Sequence, residues 1–222
     1  MQRFAELYAL AARRKGGEDA LETLIPEPRS AASLARIGDD RWLSGMAKAV
    51  FRAGFNWSVV DNKWADIEAA FRGFEPRRVA FLSDEELECL LRDKRVIRQW
   101  RKLKAIVANA RYVLELAGEH GTAANYFAYY PSTDFVGLLA DIKRRATYLS
   151  GATGQYFLRE MGRDSFILSR DVIAALAREQ VFDGTPTSKR SLAAIQGAFN
   201  GWVADGGESL TRVSRVLAFT VG

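Results

Sequence analysis

A chain of 222 residues that is 48% hydrophobic is long enough to bury a core and fold alone, as one large domain or as two lobes sharing a cleft. Its single cysteine, Cys89, and single histidine, His120, exclude an intrachain disulfide and a zinc site assembled from Cys and His, and the residues suggest no metal or other cofactor. A net charge of +5 with pI near 9.4 permits a polyanionic partner without requiring one, since so modest an excess also serves solubility.

In chain order, residues 2–14 carry Phe4, Leu7, Tyr8 and Ala11 on one helical face, and Lys15-Gly16-Gly17 ends that helix. Glu6 falls within this amphipathic pattern, which is unlike a cleavable signal. No apolar run approaches bilayer-spanning length, so a cytoplasmic protein with no membrane partner is expected. A second short helix runs to about Leu24, and Ile25 to Ser30, with two of the five prolines, reads as a loop. Leu43, Met46, Ala47, Val50 and Phe51 form a helical stripe that stops at Gly54, followed by Phe55-Asn56-Trp57. Trp64, Ile67 and Phe71 mark the next helix, and Ser83 with Glu86 forms a capping box ahead of Leu87, Leu90 and Leu91.

After a charged loop from Arg92 to Arg95, the longest helix is expected from about Val96 to Ala117. Its inward positions are Ile97, Trp100, Leu103, Val107, Ala110 and Leu114, with Arg98, Arg101, Lys102, Lys104 and Arg111 outward. That basic half is either a solvated face or a contact for DNA phosphates. The aromatic group Tyr126, Phe127, Tyr129 and Tyr130 reads as packing. Beyond residue 171 come a helix to about Glu179, a Gly184-Thr185-Pro186 loop, a helix capped by Thr187 or Ser188, and a last helix with Leu210, Val213, Val216 and Leu217. No repeat and almost no alternating strand pattern occur, so the fold is expected to be all-α.

The stretch from Ile142 to Leu176 reads as helix, small-residue turn, helix and a loop that delivers Asp171. Ser150, Gly151, Ala152, Thr153 and Gly154 open a helix whose outward N–H groups suit a phosphate, with Lys143, Arg144 and Arg145 just before. The alternative is an ordinary helical hairpin whose glycines serve close packing. The stretch resembles the hairpin of the helix-hairpin-helix (HhH-GPD) DNA glycosylase superfamily, where an aspartate roughly twenty residues further on faces the flipped nucleotide. Here Thr153 to Asp171 is eighteen residues. Asp171 is also placed to N-cap the helix that follows it.

Residues 53–114 carry a second resemblance. AGFNW at 53–57, an aromatic-rich FRGFEP at 71–76, VIR at 96–98 and KLKAIVANAR at 102–111 are similar, in the same order, to motifs of the 3-methyladenine DNA glycosylase I family. With the hairpin, the likeness spans about residues 39–176. It implies one glycosylase-like domain over residues 1–222. The terminal helices would form one lobe, and about residues 58–165 a second that holds the hairpin at 149–154. It also implies a base pocket around Trp57, Asn56 and position 49. Two departures stand out. The family's terminal zinc ligands have no counterparts, so the chain ends are expected to be held by apolar packing with no metal. The family's pocket glutamate falls on Ala49.

The resemblance implies a monofunctional DNA glycosylase that flips an alkylated, 3-methyladenine-like purine out of double-stranded DNA and hydrolyses its N-glycosidic bond, as a monomer. Asp171 would be the catalytic carboxylate. No lysine lies between Ala152 and Arg159 to form a Schiff base, so the product would be an abasic site. DNA contacts fall to Ser150, Gly151, Ala152, Thr153, Gly154, Arg98, Arg101 and Lys102. The alternative is a non-catalytic protein that binds damaged or bent DNA through the hairpin, motivated by Ala49.

Overall fold

A computed structural model describes residues 1–221. Among the described residues every regular element is helical and no strand occurs, in accord with the 3.6-residue apolar periodicity of the sequence. The chain divides into two compact units, one formed by residues 1–29, 130–138 and from 162 on, the other by residues 30–129 and 139–161.

In the first unit, Phe4–Lys15 lies against Leu210–Phe219, burying Phe4, Leu7 and Ala11 on one side and Val213, Val216 and Leu217 on the other. Phe166 stacks on Phe199 (4.4 Å between ring centres), with Phe135 edge-on to Phe166 and Trp202 edge-on to Phe199. Apolar packing is not the whole tie between the termini. Arg3 pairs with Asp205 at 2.7 Å, Arg212 pairs with Glu22 at 2.6 Å, and the Trp202 indole donates to the Gln2 carbonyl at 3.0 Å. The hydroxyl of Ser188 caps Lys189–Trp202 by accepting from Ser191 N–H.

The second unit is built on Trp100–His120, against which Asp39–Arg52, Pro76–Ala80, Asp84–Arg92 and Ala123–Tyr129 pack. Trp42 stacks on Phe127 (4.7 Å) and Phe157 meets both rings edge-on. The long helix starts four residues later than its apolar pattern suggests. Val96 and Ile97 are buried, but from a loop, because Asp93 accepts from the Arg95 N–H in a local turn that holds the chain out of helix until Gln99. Arg98 therefore sits in that loop and not on the helix. A short helix, Ala31–Ala35, capped by Ser30, follows directly on the loop read from Ile25 to Ser30.

Lys102 is a second correction. It lies on the inner face of the long helix and is 6% exposed. Its Nζ donates to the carbonyls of Phe51 (3.1 Å) and Ala53 (2.6 Å) and lies over the Phe55 ring. Its four-carbon stem lets a nominally charged position bury its length and still satisfy its head, so the polar label misread its direction. An ammonium held by two carbonyls in the interior has no reach to a DNA phosphate. Burial lowers its pKa from the ordinary lysine value.

Two other polar residues of the 102–111 motif do similar work. Asn109, fully buried, donates to the Thr147 carbonyl at 3.0 Å and accepts from the Thr147 N–H at 2.7 Å. Arg111 donates to the Ala80 carbonyl at 3.1 Å. One helix thus fixes the end of Asp39–Arg52 and the loop at Thr147. Asn109→Ala removes both bonds to Thr147 and should destabilise the protein by about 2–3 kcal/mol in urea denaturation. A loss below about 0.5 kcal/mol would mean that the loop is held by other contacts.

Candidate active site

Asp39–Arg52 ends where Ala53 turns extended and Gly54 takes a left-handed φ of 76°. The chain then re-enters helix at Trp57–Asn62, with Asn56 as its cap. Asn56 Oδ1 accepts from the Ser58 N–H at 3.0 Å and the Ser58 hydroxyl at 2.7 Å, so this side chain is engaged in capping and does not line the pocket beside it. Trp57, 42% exposed, does line it.

The opposite wall comes from the helix Ala152–Glu160, which the loop 146–151 joins to the preceding helix, Phe135–Arg145. Gly151 precedes the second helix at φ 59° and ψ −134°, a conformation open to glycine. Gly154 is required by proximity, since a Cβ there would lie 2.4 Å from the Leu149 carbonyl oxygen. No side chain caps this helix, so the first N–H groups, at Ala152, Thr153 and Gly154, lack the partners that a cap would give. Ser150, Gly151 and Ala152 are exposed, and Thr153 is half-buried.

Between these walls is a pocket of about 190 Å³, bounded by Ala49, Arg52, Gly54, Trp57, Thr153, Tyr156 and Glu160 with Ala53 and Ala152. It exceeds the ~150 Å³ cavity known to admit a benzene ring, a size suited to one heterocycle. The Tyr156 and Trp57 rings meet at 90° with centres 5.1 Å apart, and the Arg52 guanidinium lies 4.8 Å over the indole. Arg52 also pairs with Glu160 and with Asp61, which Lys48 approaches at 3.1 Å. Burial favours the neutral form of Asp61, and the hydrogen bonds from Arg52 and Lys48 outweigh it and hold its pKa below the usual carboxylate value. Ala49, 7% exposed, contributes only a methyl group.

Ala49 and Trp57, singled out in the sequence, thus share one pocket with Ala152 and Thr153. Arg52, Tyr156 and Glu160 were not foreseen, although spacing carried a signal. Positions 49, 52 and 53 share one helical face, as do 152, 156 and 160. Arg98 and Arg101 are both exposed.

Asp171 belongs to the first unit, in the first turn of Arg170–Arg178. It is not the cap. Ser169 takes that place, accepting from the Val172 N–H at 3.3 Å. The Asp171 carboxylate is half-buried, and among the described residues no hydrogen bond or ion pair engages it.

The sequence model of the methyladenine glycosylase family matches residues 37–147, half of the 222-residue chain, and the chain belongs to that family. The span includes Ala49, Arg52, Trp57, Lys102 and Asn109 and ends before Ala152 and Asp171. DNA-3-methyladenine glycosylase 1 of Escherichia coli (strain K12) is 37% identical over 65 residues, 29% of this chain. The match spans about a third (35%) of the length of that curated relative. Two solved structures share the fold. A 3-methyladenine DNA glycosylase I of Staphylococcus aureus, described for its recognition of 3-methyladenine, superposes with a TM-score of 0.51 at 22% identity over 56% of this chain and 77% of that one. A second 3-methyladenine DNA glycosylase I gives a TM-score of 0.50 at 21% identity, over 61% and 81%.

Proposed function

We propose that the protein is a monofunctional DNA glycosylase that hydrolyses the N-glycosidic bond of a flipped, alkylated purine in double-stranded DNA, the first step of base excision repair. The observation that carries this reading is the aromatic pocket of Trp57 and Tyr156 lying directly against Ala152 and Thr153 at the uncapped start of a helix. Excision chemistry needs a π-surface for a base taken out of the stack, and backbone donors for a phosphate of the same strand. Family membership and the DNA-3-methyladenine glycosylases among its relatives support the same reading.

In this mechanism the helix 152–160, with its preceding turn, acts as the second half of a helix-hairpin-helix phosphate grip, while exposed Arg98 and Arg101 add charge to the footprint. Breaking the glycosidic bond develops positive charge on the sugar. A fixed carboxylate stabilises that charge and accepts a proton from the attacking water, and Asp171, with no competing partner, is assigned this role. With no lysine from Ala152 to Arg159, the reaction ends at an abasic site. The protein acts as a monomer and needs no cofactor. Among the described residues no helix is long and apolar enough to cross a membrane.

A duplex with one alkylated purine tests the reading. Incubation should leave the strand intact until alkali is added, and cleavage only then. Strand breaks without alkali would contradict monofunctional chemistry. Specific binding with no base release would instead favour a damage-binding protein without activity, the alternative that Ala49 suggests. Affinity for an abasic-site duplex should fall about 40-fold between about 50 and 200 mM salt if three phosphates are neutralised. An affinity unchanged over that range would remove Arg98, Arg101 and the hairpin amides from the footprint.

A further inference from the structure

We infer that Tyr148 is a DNA contact of the hairpin: its hydroxyl donates to a backbone phosphate beside the one that the amides of residues 152–154 hold, with its ring against the adjoining sugar. This rests on the phosphate grip proposed above and adds a residue to it. Tyr148 lies in the loop 146–151 with φ at 61°, in the left-handed region where a Cβ crowds the following carbonyl oxygen. A bulky side chain rarely stands there, and the conformation persists only where its surroundings impose it. The neighbours on either side do so. The Asn109 amide holds both backbone groups of Thr147, at 2.7 and 3.0 Å, and Leu149 is 1% exposed. The Leu149 carbonyl sits so close to Gly154 that a Cβ there would lie 2.4 Å from its oxygen.

Packing does not account for the Tyr148 side chain. Phe74 has a similar φ of 60°, but it is fully buried and stacked on Trp64 and Phe71, at 5.6 and 5.0 Å between ring centres. Tyr148 is 47% exposed, and among the described residues no hydrogen bond, ion pair or ring contact engages it. The loop thus holds an unfavourable backbone conformation that leaves a phenol in solvent, just before the uncapped helix Ala152–Glu160. A phenol combines a flat apolar ring with one neutral donor, which suits a sugar and its phosphate and reads no base. Tyr148 and Ala152, four residues apart, are separated by at most about 14 Å. Phosphates of one strand recur every ~3.4 Å along the duplex axis, so one gripped by those amides has neighbours within range of the ring.

The test is a titration of wild-type protein, Tyr148→Phe and Tyr148→Asn against undamaged and abasic-site duplexes between about 50 and 200 mM salt, with melting temperatures in parallel. Tyr148→Phe keeps the ring and backbone and removes the donor. Affinity should fall about tenfold on both duplexes, the loss expected for one hydrogen bond to a charged group. A neutral phenol releases no counterion, so the slope of log affinity against log salt should stay as in wild type. Tyr148→Asn should bind at least as weakly, while its melting temperature stays within about 3 °C of wild type, because asparagine tolerates a left-handed φ better than tyrosine. In single-turnover base release, both variants should need more protein to reach half the maximal rate and should still reach the wild-type maximum. Unchanged affinity in Tyr148→Phe, or a Tyr148→Asn that loses melting temperature and not affinity, overturns the inference and leaves the glycosylase reading standing. A loss confined to the abasic-site duplex would put the ring in the gap of the missing base instead of on the backbone, and overturns it too. A wild-type protein that binds neither duplex overturns both.

Discussion

Replacing Asp171 with asparagine should lower base release by a factor of about 10² to 10⁴, the range that a positioned acid–base group contributes, while leaving the fold and DNA binding nearly unchanged. Asparagine keeps the size and a hydrogen-bonding oxygen but carries no charge to stabilise the sugar cation and cannot take the proton of the attacking water. Because Ser169 caps Arg170–Arg178, the substitution removes no capping bond from the helix. The remaining structural cost is one favourable charge in the first turn of the helix, about 0.3–1 kcal/mol. Thermal melting should therefore shift little, and that separates loss of chemistry from loss of structure. Release at a near wild-type rate by Asp171→Asn would exclude the catalytic role. A cationic base leaves readily by itself, so the comparison is sharpest on an uncharged lesion.

Trp57→Ala should have the next largest effect. Stacking of a base on an aromatic side chain contributes about 1–3 kcal/mol, which corresponds to a loss of about 5- to 150-fold in affinity for lesion-containing duplex. Undamaged duplex, held by phosphate contacts alone, should lose much less. Trp57 is 42% exposed, and its contacts to Arg52 and Tyr156 lie at the pocket rather than in the core, so the fold should survive the change. Trp57→Phe should recover part of the affinity by restoring a π-face. An equal loss on damaged and undamaged DNA would make Trp57 a packing residue instead.

The fold was legible where its determinants are local. Ser83 and Glu86 make both bonds of the expected capping box, Ser188 caps its helix, and the apolar stripe at 43–51 is buried. The start of the long helix was not legible, because buried Val96 and Ile97 give the same hydropathic signal in a loop as in a helix. Direction was lost at Lys102, whose partners Phe51 and Ala53 are about fifty positions away in sequence. Distance also hid the contact between Arg52 and Glu160, 108 positions apart. The part of the site that spacing revealed is the part each helix carries alone. The charge arrangement of the pocket depends on which helices meet, and sequence spacing does not contain that. The same holds for the ion pairs between Arg3 and Asp205 and between Glu22 and Arg212, where apolar packing alone was expected.

The central claim is that this chain takes a damaged purine out of DNA and releases it as the free base. Mass analysis of the small molecules released from alkylated genomic DNA, with wild-type protein and Asp171→Asn in parallel, addresses it most directly. The account predicts free modified purines above the spontaneous background, with an equal number of abasic sites in the DNA and a loss of that excess in Asp171→Asn. Spectra indistinguishable from the protein-free control, from a protein that still binds the same DNA, would contradict it.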